Sequence, residues 1–238
     1  MSQEKGTGDG RVSRRKLLSW AGLTAALAAV AGLAYRHFSA TSAVKVESFM
    51  TRGQGQAKNI LVLTGSGRVQ GNSDRLAEAF AKGAREAGHT VNVFPTGRHN
   101  LRACMHCEGC WSKGKPCVLV DDFDKLSPML EQAELLVFCS PLYWYNFSGH
   151  IKAAMDRMYP YSKKERLRDM RVHETMLLMC GQSHFLRSFA GPAEAYRQML
   201  GYKRWKDRGR LFVTGVDEFG EIAGNRALRT AEDMGRNA

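Results

Sequence analysis

The chain predicts an α/β domain, a parallel β-sheet with helices packed on both of its faces. Two observations carry that expectation. Short apolar runs recur five times, at Asn59–Thr64, Thr90–Phe94, Leu135–Ser140, Thr175–Cys180 and Leu211–Val216, with longer amphipathic stretches between them. Strands that alternate with helices pair in parallel through crossovers that cover both faces. The second observation is a glycine-rich loop, Gly65 to Ser73, which joins the first run to the first amphipathic stretch. Open α/β sheets bind ligands at such strand-to-helix junctions. With 238 residues, 44% hydrophobic and 24% charged, the chain suits one domain and a targeting segment.

The N-terminal segment comes first. Ser13-Arg14-Arg15-Lys16-Leu17-Leu18 leads into a charge-free Ala/Gly/Leu run that ends at Tyr35. Paired arginines ahead of a mildly apolar stretch resemble a twin-arginine export signal. At about 1.5 Å per residue the same run just spans a bilayer core, so a membrane anchor is the competing reading. Cleavage is expected between Ala40 and Ala43, although no clean A-x-A stands there, and an uncleaved signal would leave the protein at the membrane. Residues 1–43 are therefore read as signal or anchor, and 44–57, with Gly53 and Gly55, as a flexible linker. The domain proper is expected over 58–238.

Asn59–Thr64 is short, uncharged and rich in β-preferring residues, as a strand buried on both faces should be. After Ser73 the period changes: Leu76, Ala77, Phe80, Ala84 and Ala87 share one helical face, and Gly88 ends the helix. Thr90–Phe94 is the second strand, and a cysteine-rich insertion over 101–120 follows it. Further helices are expected at Asp122–Gln132, capped by its leading acid, and at Gly149–Met158, Phe185–Leu200 and Asn225–Gly235.

Three junctions carry unusual residues. In the glycine-rich loop, free N–H groups and the positive end of a helix dipole converge, and Arg68 can add a guanidinium, which suits a phosphate. The triphosphatase loop is excluded because no lysine follows Gly71, and the dinucleotide fingerprint fails at Gln70. A plain tight turn is the bland alternative. The second junction, Ser140 to Gly149, holds Tyr143, Trp144 and Tyr145 in a row. Exposed aromatics suit a flat ligand or a subunit interface, against simple packing under the sheet edge. The third is Cys180-Gly181-Gln182-Ser183-His184, where a glycine admits a ligand close to backbone. A phosphate site beside an aromatic loop points to a planar phosphorylated cofactor, and flavin mononucleotide (FMN) fits that description economically.

Net charge is +12, of which residues 1–57 contribute +5. The remainder is interleaved with acids and no nucleic-acid motif is present, so a solvated basic surface is expected, with no nucleic-acid partner. Four of the six cysteines are spaced Cys104-x-x-Cys107-x-x-Cys110 and then six residues to Cys117. Thiolates at that spacing can converge on one metal centre. An iron–sulfur cluster, structural zinc, and disulfides or free thiols are the three readings. His106 reads as a bystander inside the run, and Cys139 and Cys180 as core residues. Cys180 with Arg187 is one residue too long for the phosphatase loop.

The stretches Gly65–Leu76 and Ser140–Arg157, with the cysteine insertion between them, resemble the flavodoxin-like NAD(P)H-dependent FMN reductase family, in particular its iron–sulfur flavoprotein branch. The likeness runs from about residue 58 to the C-terminus; Gly67, where many relatives carry proline, departs from it. The resemblance implies a three-layer sandwich around a five-stranded parallel sheet of order 2-1-3-4-5. Ser66, Arg68, Asn72 and Ser73 would hold the FMN phosphate. Pro141, Leu142, Tyr143, Trp144 and Asn146 would border the isoalloxazine, with Gly181 near its pyrimidine edge. Cys104, Cys107, Cys110 and Cys117 would hold a [4Fe–4S] cluster, and homo-oligomers that close the flavin pocket are implied.

The expected function is an FMN-dependent oxidoreductase passing electrons between a redox donor and a small acceptor, with no essential acid–base residue. Tyr143, Trp144 and His184 are candidates for substrate contact. Export would place the protein outside the cytoplasm and replace NAD(P)H as donor by a quinol, a cytochrome or another redox protein. A cluster-free NAD(P)H-dependent FMN or quinone reductase in the cytoplasm is the alternative. A non-catalytic module that uses an FMN pocket or a zinc-held loop for docking is a third reading.

Overall fold

A computed structural model describes residues 45–51, 55–162 and 168–238. The expectations for residues 1–43 lie outside the described residues. Six strands form one sheet: β1 (Val46–Met50), β2 (Asn59–Thr64), β3 (Thr90–Pro95), β4 (Leu135–Pro141), β5 (Glu174–Cys180) and β6 (Lys206–Val213). Their spatial order is β1-β6-β5-β4-β2-β3. From β3 to β6 every pairing is parallel, which gives the expected 2-1-3-4-5 order of five strands. The helices are α1 (Asn72–Glu86), the single turn α2 (Gly109–Ser112), α3 (Phe123–Gln132), α4 (Gly149–Asp156), α5 (Ala190–Lys203) and α6 (Arg226–Arg236).

The sheet corrects the five-strand expectation. Val46–Met50, expected as linker, pairs antiparallel with β6 as a sixth strand. Without it, β6 would present a row of unpaired backbone groups. Lys45 extends the seam, its N–H donating to Thr214 Oγ1 at 2.8 Å while its carbonyl accepts from Thr214 N–H at 3.0 Å. Strand β6 also begins earlier and ends sooner than Leu211–Val216. Lys206, Asp207, Arg208 and Arg210 hid it from a search for apolar runs. Arg208 is nonetheless buried, 3.7 Å from the Glu174 carboxylate, which Lys58 also reaches at 2.6 Å.

Side chains alternate across a strand, so each central strand feeds two cores. Leu61, Leu63 and Phe138 face α3, α4 and α5 on one side. Ile60, Val62 and Val137 face α1 and α6 on the other. Among the described residues no helix is long and apolar enough to cross a membrane.

Helix α1 follows the expected stripe through Leu76, Ala77, Phe80 and Ala84; Ala87 is exposed because the helix has already ended. Gly88 sits at φ +90°, and His89 N–H reaches back to the Ala84 carbonyl, a left-handed C-terminal closure. Asn225 caps α6 by accepting from Ala227 N–H at 2.9 Å. At the start of α3 the capping acid is Asp121, not Asp122: its Oδ1 accepts from Phe123 N–H at 3.0 Å. The helix expected from Phe185 starts at Ala190, after a 3₁₀ turn over Leu186–Phe189. The helix expected from Gly149 to Met158 ends at Asp156.

Helices α1 and α6 touch backbone to backbone through two glycines. A Cβ on Gly83 would collide with the Glu232 carbonyl, and one on Gly235 with the Phe80 carbonyl. Gly83→Ala is therefore expected to push the helices apart and destabilise the fold by about 2–3 kcal/mol. Urea unfolding followed by circular dichroism reads this, and an unchanged midpoint would refute the close crossing.

Candidate functional site

The parallel strands all end on one edge, and the loops leaving β2, β4, β5 and β6 meet there. Ser66, Arg68, Asn72, Ser73, Pro141, Leu142, Tyr143 and Gly181 line a single cleft, joined by Gly71, Gln182, Val216 and Asp217. Its volume is about 180 Å³, below the ~300–1,000 Å³ usual for small-molecule sites, and it opens into a wider adjoining cleft. Eight of the ten residues expected around the cofactor thus converge from three separate stretches of the chain. Trp144 lines the adjoining cleft instead, and Asn146 shapes the turn between the two.

The phosphate loop is built by backbone. Ser66 and Ser73 are buried, and Ser66 Oγ accepts from Arg68 N–H at 3.0 Å, which folds the loop back on itself. The first turn of α1, whose N–H groups a helix leaves without internal partners, lines the cleft through Asn72 and Ser73. Gln70 stands at φ +57° and its N–H donates to Asp74 Oδ2 at 3.2 Å. Asn72 spends its side chain on structure: its Nδ2 donates to the Glu218 carbonyl at 2.9 Å and its Oδ1 accepts from Ile222 N–H at 3.2 Å. Its amide therefore holds the loop after β6 against the cleft, and its backbone is what remains for an anion.

Two residues absent from the sequence reading support this loop. Arg98 is ion-paired with the buried Asp74 at 2.6 Å and reaches the Arg68 carbonyl at 3.4 Å. A cation thus neutralises the one carboxylate at the start of α1. Gly97 presses on the loop itself: a Cβ there would lie 2.5 Å from the Ser66 carbonyl and 2.7 Å from Gly67 N. Nothing in a single sequence distinguishes such a glycine from an ordinary turn residue, because the contact is made across a strand. The fit to a phosphate group rests on this cradle.

The aromatic loop is a two-residue turn. Tyr143 and Asn146 exchange backbone hydrogen bonds at 3.0 and 2.9 Å, and Trp144 and Tyr145 between them have φ +47° and +59°. Two bulky side chains in the left-handed region are strained and belong to a turn that is overdetermined by its surroundings. Trp144 is 95% exposed, so packing under the sheet edge is excluded for it. Trp144 and Tyr145 border a second, wider cleft with Gln182, His184, Phe185 and Arg187. The two clefts share Leu142 and Gln182. Gly181 fixes their common wall, since a Cβ there would meet Leu142 Cβ at 2.8 Å. Cys180, expected as core, is buried and also reaches the first cleft; burial pushes its thiol up to about 12.

The insertion forms a separate small cavity lined by Cys104, Cys107, Cys110 and Cys117, with Arg157, Tyr159 and Pro160 beneath. All six cysteines are free thiols. His106 and Glu108 take positive φ, and His106 N–H approaches Cys104 Sγ at 3.4 Å. Burial pushes the Cys110 thiol up, and the charges of Cys117 and Cys104 add to that rise. Among the described residues, no three His, Cys, Asp or Glu side chains already stand gathered at metal-binding spacing. The four thiols share a cavity without closing on a point.

Two aspartates tie the insertion down. Asp122 accepts from Lys125 Nζ, Asn100 N–H and the His99 ring, and these hold its carboxyl at about 2. Burial works against ionised Asp121, but hydrogen bonds from Arg157 and from the Phe123 and Arg102 N–H groups outweigh it and keep its pKa low. Both carboxyls sit below their unfolded values, so their anchoring is complete above ordinary aspartate pH and fades as pH falls toward about 2. Pepsin should therefore spare the segment 99–122 at pH 4 and cut it at pH 2 before the strands. Equal cleavage at both values would remove this anchoring. For the phosphate loop, Gly97→Ala should weaken FMN binding tenfold or more in a fluorescence titration. Gly67→Ala, whose Cβ would meet nothing nearer than 3.5 Å, should leave it unchanged.

Known proteins place this geometry. The family described as NADPH-dependent FMN reductase matches residues 58–213. An iron-sulfur flavoprotein of Archaeoglobus fulgidus is 30% identical over 106 residues, 44% of this chain and 48% of its own. Another, from Methanocaldococcus jannaschii, is 28% identical over 101 residues, 42% of this chain and 52% of its own. The chain spans about half the length of the curated relatives it matches. Among solved structures, an NAD(P)H:quinone oxidoreductase from Methanothermobacter marburgensis superposes with a TM-score of 0.60 at 22% identity, covering 76% of this chain and 96% of that one. An azoreductase from Bacillus anthracis gives 0.57 at 16% identity, covering 77% and 100%. These structural likenesses speak for the flavodoxin-like fold. The family match covers more than half of the sequence and includes both cleft-forming junctions: the chain belongs to the NADPH-dependent FMN reductase family.

Proposed function

We propose that this chain is an FMN-dependent oxidoreductase that reduces a small planar acceptor and carries an iron–sulfur cluster on its four-cysteine loop. The observation that carries the flavin reading is the convergence of eight expected residues in one cleft, with a wider aromatic-lined cleft joined to it across Leu142 and Gln182. FMN, when bound, would supply two-electron uptake and stepwise release, chemistry that belongs to the cofactor. The protein's part is placement. The Ser66–Ser73 loop and the N-terminus of α1 would hold the phosphate. Pro141, Leu142, Tyr143 and Gly181 would wall the ring system, and the strained Trp144–Tyr145 turn would border the approach of acceptor or donor. His184 and Arg187 line the same wider cleft.

The four-thiol cavity and the named iron–sulfur flavoproteins among the relatives support the cluster. A cluster held there would accept and return single electrons. NAD(P)H is the donor that the family suggests. The Arg14-Arg15 segment favours a second reading in which the folded protein is exported and takes electrons from a quinol or a redox protein. Homo-oligomerisation through the exposed aromatic turn, closing the cleft, is part of the same proposal.

The full-length chain, purified anaerobically, tests these points together. Resolved flavin bands on a broad shoulder that bleaches with dithionite are expected, with NADPH-driven quinone reduction reading the donor. Flavin bands without iron would leave a simple reductase. Flavin reducible by dithionite but inert to NADPH would favour the exported reading. A colourless protein that refuses added FMN would end the flavoprotein proposal.

A further inference from the structure

The floor of the four-cysteine cavity holds a cation whose hydrogen bonds the protein leaves open. Arg157, at the C-terminal end of α4, lines that cavity with its side chain 1% exposed. Its Nη1 donates to Asp121 Oδ2 at 2.5 Å and to the Arg102 carbonyl at 3.3 Å. Its Nε and Nη2 are buried and have no partner. A guanidinium carries five N–H groups, so two are used and three are idle. The face of the group lies on the Phe123 ring, 4.3 Å from its centroid, and offers no acceptor. Asp121 has little left to give: its oxygens already take the Arg102 and Phe123 N–H groups as well as Nη1.

A buried donor without an acceptor costs about 1–3 kcal/mol, and more on a charged group. A fully buried arginine with three idle N–H groups is therefore out of place unless something else in the cavity accepts them. The other polar lining of that cavity is His106, Glu108, Tyr159 and the four thiols; Glu108 Oε1 accepts from the Tyr159 hydroxyl at 3.4 Å, and thiolates gathered on a metal are anionic acceptors. We propose that Arg157 is the counter-cation of a metal–thiolate centre on Cys104, Cys107, Cys110 and Cys117, donating its Nε and Nη2 N–H groups to that centre's sulfur. This rests on the four-cysteine reading above and adds a positioning residue to it. Arginine stays protonated at all working pH, so the charge is permanent. Hydrogen bonds to cluster sulfurs and net local charge set reduction potential, and such outer partners also hold the metal. Losing them should lower the potential and loosen the iron.

The test uses the full-length chain reconstituted anaerobically with ferrous iron and sulfide. Arg157→Lys keeps a charge within reach of Asp121 but removes the planar donors. The double change Arg157→Met with Asp121→Asn removes the charge without orphaning the carboxylate, so the result does not hinge on one variant folding. With FMN content and circular dichroism unchanged, both variants should lose iron to a chelator about tenfold faster. At the potential where the wild-type cluster is half reduced, the ratio of reduced to oxidised cluster should fall about tenfold, a shift of about 59 mV for one electron. Wild-type iron content with identical potential and iron retention in both variants would overturn the role of Arg157 and leave the cluster reading standing. A wild-type chain that takes up neither iron nor zinc would overturn both.

Discussion

Burial of both faces of the parallel strands is the constraint on which the rest of the molecule depends. Strands β2, β4 and β5 are almost wholly inaccessible to water, so most of their residues serve packing. Chemistry is pushed to the edge where the strands end, and parallel pairing puts β2, β4, β5 and β6 on that edge together. The phosphate loop, the aromatic turn and Gly181 therefore meet in space although more than a hundred residues separate the first from the last.

Helix α4 links the two candidate centres. Its N-cap, Ser148, accepts from Ile151 N–H, and its Oγ lies 2.4 Å from where a Cβ on Gly65 would stand, at the base of the phosphate loop. Its other end delivers Arg157 beneath the cysteines. Eight residues span about 12 Å, so one short rigid element bridges the flavin cleft and the thiol cavity. The same helix packs Ile151 and Ala154 into the core, which fixes both ends relative to the sheet.

Charge in the interior is placed where geometry leaves no alternative. Asp74 at the phosphate loop is met by Arg98, and Glu174 at the opposite end of the sheet by Lys58 and Arg208. Removing one member of such a pair leaves an uncompensated charge, which is why buried pairs specify position more strongly than they stabilise. Arg157 differs from these in degree: both its Nε and its Nη2 lack a partner, where Arg208 leaves only its Nε.

The sequence by itself determined the alternating architecture and marked the strand-end junctions that line the cleft, while the 2-1-3-4-5 order came with the family resemblance. The architecture and the junctions depend on local signals: apolar runs of strand length, a stripe at helical period, and glycine, serine and aromatic residues at strand ends. It misplaced β6, because a strand beside an edge tolerates arginines that a composition search rejects. It took Val46–Met50 for linker, because an edge strand's exposed residues have no pattern until a partner is known. Arg98, Gly97 and the idle side of Arg157 were beyond it for one reason: each acts on residues brought near only by the fold. Only tertiary structure decided that Asn72 braces a distant loop, that Trp144 faces solvent, and that four cysteines share a cavity with a buried cation. Sequence spacing fixes which groups are available along the chain, whereas packing of the sheet and its helices fixes which of them meet.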